Sequence, residues 1–339
     1  MMSAGGPVAP SVAVAVTDAR QMGEVRRTVA ALCRSAGLDA ADTGRVGIIA
    51  TEGASNILKH GGGGELVVSP LGRGQASGIE LLALDRGPGI ADADRGLASG
   101  HSSTSTPDTG LDAMRREASV FEIYSLPGHG TAVLARVGRA EPPTTALAIG
   151  AVCVAKPGEA ECGDVWSLEK SPGGIRIVVA DGLGHGPPAR DAALTAVRAT
   201  LERPPGAARA LEEAHRASRR TRGAAVGVAE MDLGAGEVRF AGFGNIAGLL
   251  LGPDRAQSMV SMNGTVGQGA LKPREFTYRL VPGTLLVMSS DGLVSDWSLE
   301  PYPGLALRHP SLVAGILYRD HSRRRDDVTV VTARVGSRS

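Results

Sequence analysis

In the second half of this 339-residue chain, aspartates stand where strand-like apolar runs begin or end. Gly163-Asp164 precedes Val165–Lys170, and Asp181-Gly182-Leu183-Gly184-His185-Gly186 follows Ile175–Ala180. Ser290-Asp291-Gly292 follows Leu285–Ser289, and Asp326-Asp327 precedes Val328–Val335. One Asp-Gly pair is an ordinary turn. A carboxylate at the end of a buried strand, however, needs a partner for its charge. Converging carboxylates repel one another unless divalent cations lie between them, so the pattern favours a fold that gathers these strand ends around metal ions. Oxygen donors alone suit Mg²⁺ or Mn²⁺ rather than Zn²⁺. Two such ions about 3.5–4 Å apart would polarise a shared water for in-line attack on a phosphoryl group.

Composition narrows the remaining choices. Glycine (47) and proline (20) make up about a fifth of the chain, against roughly 12% in average usage. The glycines have no collagen period and are separated by apolar runs, which excludes fibres and disorder. A net charge of +1 does not suit a protein that coats nucleic acid. The runs Arg219-Arg220-x-Arg222 and Arg323–Arg325 could serve a partner, although such runs are more often solvated surface. No apolar stretch reaches membrane-spanning length, and Met1–Val16 lacks the basic start of a signal peptide. Cys33, Cys153 and Cys162 match no metal spacing, so packing in a reducing cytoplasm is expected. The length suggests two domains, and Glu141-Pro142-Pro143, which resists both helix and central strand, marks a linker at 139–145.

The periodicities predict a mixed α+β chain. Val12–Val16 reads as a strand, Asp18 to about Ala36 as a helix, and Asp39 or Asp42 to His60 as a second helix. Glu65–Ser69 and Ile79–Asp85 read as strands, residues 86–110 as a long loop, Thr109–Ala118 as a short helix, and Val120–Ser125 and Thr131–Val137 as a strand pair. In the second half, Ala146–Ala155, Val165–Lys170 and Ile175–Ala180 read as strands. The helices Arg190–Leu201 and Ala207–Arg219 follow, separated by Pro204-Pro205. Six further strand-like runs lie between 224 and 289, and a helix over Pro310–Asp320 precedes a final strand. Many strands with a helix pair suggest an α+β sandwich.

The first half carries a different constellation. Glu52, Asn56 and Lys59 fall on one face of the second helix. A carboxylate, an amide and an ammonium on one stripe suit a Mg²⁺–phosphate group. Asn56 would ligate the metal, Lys59 would meet phosphate, and Glu52 would orient or deprotonate an attacking oxygen. Asp85-Arg86-Gly87-Pro88-Gly89-Ile90 follows a strand; the carboxylate there can accept a hydrogen bond from a purine amine, and the two glycines let backbone approach a base. Gly110-Leu111 opens a helix and Gly128-His129-Gly130-Thr131 opens a strand, both suited to phosphate.

These four runs, in this order, resemble the N, G1, G2 and G3 boxes of the Bergerat-fold ATP-binding domain, in particular its RsbT-like anti-sigma kinase branch. The resemblance covers about residues 10–138. It implies an α/β sandwich that binds ATP with Mg²⁺ through Asn56, Lys59, Asp85, Gly87, Gly89, Gly110, Gly128, Gly130 and Thr131. It also implies Ser/Thr phosphorylation of a STAS-domain partner, with Glu52 catalytic. One departure stands out: Asp112 occupies the second glycine position of the G2 box. A weakened or non-catalytic module that senses ATP or binds a partner, and so gates the second domain, is therefore the alternative.

Residues 146–336 resemble the SpoIIE/RsbX branch of type-2C metal-dependent Ser/Thr phosphatases. The runs that carry this resemblance are Gly163-Asp164, Val-Val-Ala-Asp181-Gly-Leu-Gly-His-Gly186, Gly242-Phe-Gly-Asn245, Ser-Ser-Asp291-Gly-Leu293 and Asp326-Asp-Val-Thr-Val330. The resemblance implies an αββα sandwich with two Mn²⁺ or Mg²⁺ ions. Asp181 would bridge them, Gly182 would offer its carbonyl, Asp291 and Asp326 would complete one shell, and Asp164 would be an outer or weaker ligand. Asp181 and Asp291 are the catalytic candidates, and His185 would contact substrate or act as an acid. The expected chain is a cytoplasmic partner-switching regulator that dephosphorylates a regulatory protein, expected to be a STAS-domain antagonist, with no nucleic-acid or membrane partner.

Overall fold

The computed structural model describes residues 6–72, 77–91, 110–138, 147–171, 173–201 and 206–336. The linker at 139–145, Pro204-Pro205, Thr109 and most of the loop expected at 86–110 lie outside the described residues. In chain order, β1 (Gly6–Pro7) is followed by β2 (Val12–Val16), α1 (Met22–Ala36), α2 (Ala40–His60), β3 (Gly64–Leu71), β4 (Gly78–Asp85), α3 (Leu111–Glu117), β5 (Val120–Leu126) and β6 (Gly130–Gly138). Next come β7 (Leu147–Val154), β8 (Asp164–Ser171), β9 (Gly174–Gly182), α4 (Pro187–Leu201), α5 (Ala207–Ala217), β10 (Ala224–Asp232) and β11 (Glu237–Phe243). The chain continues through β12 (Ala247–Leu251), β13 (Ala256–Met259), β14 (Ser261–Met262), β15 (Phe276–Arg279), β16 (Leu285–Ser289), α6 (Pro310–His321) and β17 (Val328–Val335). The mixed α+β class read from the sequence is the class observed.

The chain divides into two compact units. One holds Ser11–Pro143 together with Ser298–Arg319; the other holds Met1–Pro10, Thr144–Trp297 and Asp320–Ser339. Each unit therefore takes in a segment whose sequence neighbours belong mostly to the other.

In the first unit, α1 buries Val25, Val29 and Cys33, one residue per turn. The Asp39 side chain accepts from Asp42 N at 2.8 Å and caps α2. Both helices cover one face of an antiparallel sheet of order β2-β3-β4-β6-β5. Strand alternation divides β4: Ile79, Leu81 and Ala83 join the core shared with α1 and α2, while Glu80, Leu82 and Leu84 point to the opposite face. That second face is covered by α6. A Cβ on Gly315 would come within 3.1 Å of Leu82. Glu80, 2% exposed, pairs across the ladder with Arg136 and accepts from Arg136 Nε at 2.8 Å and Ser311 Oγ at 2.7 Å.

In the second unit, one sheet runs β1-β8-β9-β10-β11-β14, with β15 also paired to β11, and the other runs β13-β12-β16-β17-β7. Ile177, Val179, Phe240, Leu286, Met288 and Val331 fill the space between the sheets. Val178, Ala180, Val226 and Val228 face the other way, onto Ala193, Val197 and Leu211 of α4 and α5. Burial on both faces explains why Ile177–Ala180 reads as a continuous apolar run. The helix expected over Pro310–Asp320, within the 146–336 part, is α6, which clusters up to Arg319 with the first unit. Helix α4 starts at Pro187, three residues before the expected Arg190, because proline is favoured at a first helical position. Strand β1, which pairs with Leu168 and Ser167 of β8, was not foreseen, since two residues carry no periodicity. Among the described residues, no helix is long and apolar enough to cross a membrane.

The Glu80–Arg136–Ser311 group makes a stability prediction. Arg136→Met leaves a buried carboxylate with one partner fewer and is expected to cost about 3–5 kcal/mol in urea unfolding. The double variant Glu80→Leu/Arg136→Met should recover most of that loss. Equal losses in the two proteins would show that the charge pairing is not what matters there.

Candidate functional site

Two constellations are assembled, one in each unit. In the first unit, Glu52 and Asn56 are half-buried on α2 and meet the start of α3. Gly110 has φ +33°, and a Cβ there would lie 2.6 Å from Glu52 Oε2 and 3.3 Å from both amide atoms of Asn56. A side chain at 110 would therefore fill the space these two groups share. The Asn56 amide nitrogen is buried without a hydrogen-bond partner among the described residues. Because the two ends of an amide are assigned by their surroundings, Asn56 offers an unmet polar atom of either kind to a ligand. Lys59 is exposed one turn further along α2. Asp112 is exposed in the first turn of α3.

Asp85 ends β4 beside the C-terminal end of α2, where a Cβ on Gly61 would come within 2.4 Å of its Cβ. Its Oδ1 accepts from Gly87 N at 2.8 Å and Thr131 N at 3.2 Å, which leaves Oδ2 for an amine donor. Burial pushes its carboxyl above the usual carboxylate range, against those two hydrogen bonds and the nearby Arg319 and His60 charges. The glycine-containing turns are pinned to each other: Gly128 N donates to Pro88 O at 2.9 Å, and Ile90 N donates to Ser125 Oγ at 2.7 Å. Ser125 Oγ in turn lies 2.8 Å from Thr131 Oγ1. Sequence-distant Asp85, Gly87, Gly89, Gly128, Gly130 and Thr131 thus share one corner of the sheet.

In the second unit, Asp164 of β8 and Asp181 of β9 are direct cross-strand partners. Like charges in that position repel. Asp164 is 1% exposed and its Oδ1 has no hydrogen-bond partner among the described residues, while Oδ2 accepts from Ser290 Oγ at 2.6 Å. Burial, joined by the charges of Asp327 and Asp291, raises the Asp164 carboxyl. Burial also raises Asp181, helped by Asp164, Asp291, Asp326 and Asp327. Asp327 is raised by burial and by Asp326, although Lys156 N donates to it at 2.8 Å. Gly182 meets α4 so closely that a Cβ would overlap Ala189 O at 1.9 Å, so only glycine can follow Asp181.

The donor set fits hydrated hard cations. It is all oxygen, its charges raise one another, and one buried carboxylate oxygen is unmet. Among the described residues no three acidic, histidine or cysteine side chains close around a single point. Mg²⁺ keeps several waters and takes one or two carboxylates, so aspartates spread along adjacent strand ends suit it better than a closed cage would.

Several neighbours had no assigned role in the sequence. Asn245 Nδ2 donates to Asp291 Oδ2 at 2.6 Å, and Arg323 Nε donates to Asp291 O at 2.7 Å. His185 Nδ1 lies 2.6 Å from Glu159 Oε1, which orients the imidazole beside the Asp181 loop. The Arg222 guanidinium lies beside Gly184 in that loop, 3.1 Å from where a Cβ would stand. The basic run around Arg222 was legible in the sequence, but its place at the loop was not. Cys153 and Cys162 are buried free thiols with sulfurs 3.7 Å apart.

Comparison with known proteins gives two separate matches. Residues 171–336 match the family Stage II sporulation protein E (SpoIIE), and residues 15–137 match the Histidine kinase-like ATPase domain. The chain is 29% identical over 120 residues to the Serine/threonine-protein kinase RsbT of Bacillus subtilis (strain 168), covering 35% of this chain and 86% of that protein. A solved chain from "The bacterial stressosome: a modular system that has been adapted to control secondary messenger signaling" is similar with TM-score 0.52 and 28% identity. That similarity spans 56% of this chain and 99% of that one. RsbX in complex with magnesium is similar with TM-score 0.49 and 17% identity, over 58% of this chain and 98% of that one.

The raised aspartates set a pH dependence. Their ordinary value is 3.8, so above it the unfolded chain has lost protons that the folded metal-free protein still holds. The stability these groups contribute is therefore lost as pH rises from about 4 through their raised values. With chelator present, the melting temperature should fall between about pH 5 and pH 8, and Mn²⁺ should raise it more at the higher pH. Asp181→Asn should flatten both effects. A chelated melting temperature that does not fall over this range would refute the assignment.

Proposed function

We propose that this chain, which joins a histidine kinase-like ATPase domain to a SpoIIE-type phosphatase domain, is a cytoplasmic partner-switching regulator. In this reading it removes phosphate from phosphoserine or phosphothreonine on a regulatory protein, a STAS-domain antagonist by the resemblance. Residues 10–138 form the ATP-binding part, 139–145 the linker and 146–336 the phosphatase part. The observation that carries the reading is Asp164 facing Asp181 across a buried ladder, with Asp291, Asp326 and Asp327 acting on the same charge.

Asp181, the Gly182 carbonyl, Asp291 and Asp326 would hold two Mn²⁺ or Mg²⁺ ions, with Asp164 behind them. The bound ions would neutralise the phosphoryl charge and activate water. The chain's own groups do the rest. Ser290 fixes Asp164, Asn245 fixes Asp291, and Glu159 orients His185 to protonate a leaving oxygen. Arg222, beside Gly184, would meet substrate phosphate. In the first domain, Asn56 would hold Mg²⁺, Lys59, Gly110, Gly128 and Gly130 would face the phosphates, and Asp85, Gly87, Gly89 and Thr131 would form the base end. Glu52 would orient the attacking hydroxyl.

Hydrolysis of a phosphoserine peptide should require Mn²⁺ or Mg²⁺ and fall at least about a hundredfold in Asp181→Ala and Asp291→Ala. No hydrolysis by the wild type at high Mn²⁺ would sink the phosphatase assignment.

A second reading rests on Asp112, a carboxylate where the G2 box has glycine. There the first domain binds ATP or a partner without transferring phosphate and gates the phosphatase. Transfer of labelled phosphate from ATP to candidate STAS proteins separates the two. Transfer that disappears in Glu52→Ala supports a kinase, and binding without transfer supports the gating module.

A further inference from the structure

The base end of the nucleotide pocket is held by a residue from far outside the ATP-binding sequence. The ladder between β4 and β6 ends at the pair Leu84–Ala132. Just past that end, Arg319 Nη1 donates to Asp85 O at 2.6 Å, from 234 residues further along the chain. Thr131 O lies 3.5 Å from the same nitrogen. The guanidinium thus replaces main-chain pairing where the two strands part. The Arg86 side chain in return donates to Arg319 O. Arg319 is only 4% exposed, and a buried guanidinium requires acceptors in fixed places.

The helix that carries Arg319 is itself fixed. Residues 310–319 of α6 are all buried, and Ser311 is bonded to Glu80 and Arg136 two turns earlier. Arg319 therefore meets the strand ends from a set position. Asp85 is gripped twice: its carboxylate by Gly87 N and Thr131 N, its carbonyl by Arg319. Freeing the carbonyl would let the peptide after β4 rotate and swing the base-reading carboxylate with it.

We propose that Arg319 is a positioning residue of the nucleotide pocket, setting the Asp85 carboxylate for an adenine amine. This rests on the reading of that pocket as a nucleotide site. A pocket built this way is completed by the phosphatase part of the sequence.

The test uses the full chain with Mg²⁺ and measures ATP and GTP affinity by calorimetry, with melting temperature alongside. The wild type should prefer ATP. Arg319→Ala should weaken ATP binding by about tenfold and move the ATP-to-GTP ratio toward one, while Arg319→Lys, which keeps one donor, restores part of both. Ser311→Ala loosens the same helix without touching Asp85, so it should lower the melting temperature and leave the ratio unchanged. If Arg319→Ala does not fold, Arg319→Lys carries the test through an intermediate ratio. Wild-type affinity and ratio in the folded Arg319 variants would overturn the proposal, as would an equal loss of preference in Ser311→Ala. Absence of nucleotide binding by the wild type would overturn the pocket assignment as well, and so is distinguishable from failure of this step alone.

Discussion

Two carboxylates facing each other across a buried ladder cannot both remain ionised without a cation nearby, and Asp164 and Asp181 are in that position. Much of the second unit follows from holding them there. The apolar strands β8, β9 and β10 bury both faces of their sheet, which removes the water that would otherwise screen the charges. Ser290 and Thr329 extend the arrangement: Thr329 N donates to Ser290 Oγ at 2.9 Å, and Ser290 donates to Asp164. The close approach of Ala189 O to Gly182 brings α4 against the same strand end. The core thus spends folding energy to keep a repulsive cluster, which protonation relieves in the metal-free protein and a bound divalent ion would relieve in its place.

The first unit is organised around different buried charges. Glu80 and Arg136 form a cross-strand pair on the sheet face away from α1 and α2, and Ser311 of α6 completes it. At the other end of α6, Arg319 holds the main chain of Asp85. Both groups need the helix, because neither buried charge has enough partners on the sheet alone. The polar groups of the candidate site at residues 52–131 therefore share a compact unit with a segment at 298–319.

Much of both sites could be read in the sequence. Helix periodicity put Glu52, Asn56 and Lys59 on one face, and strand-like runs flanked by an Asp beside a Gly marked Asp164, Asp181 and Asp291. The resemblances supplied what spacing could not: which runs are expected to belong together at a nucleotide site and which at a metal centre. Other features left no local trace. The two residues of β1 are too few for a pattern. Glu80 reads as an ordinary polar position in an alternating strand until α6 covers it. Arg222 reads as surface charge, and its nearness to Gly184 depends on how the loop folds back. Asn245 lies 46 residues from the Asp291 it holds, a distance no short-range pattern reports.

By itself, then, the sequence determined the mixed α+β class, the residue types at both sites and the expectation of oxygen-ligated divalent ions. These depend on local periodicity and on charges at strand ends, both written within a few residues. Only the tertiary structure decided that Asp164 opposes Asp181, that residues 298–319 cluster with Ser11–Pro143, and that Arg319 closes the strand ends at Asp85. Those outcomes come from long-range pairing, in which a buried charge takes whichever partner the folded chain brings within hydrogen-bonding distance.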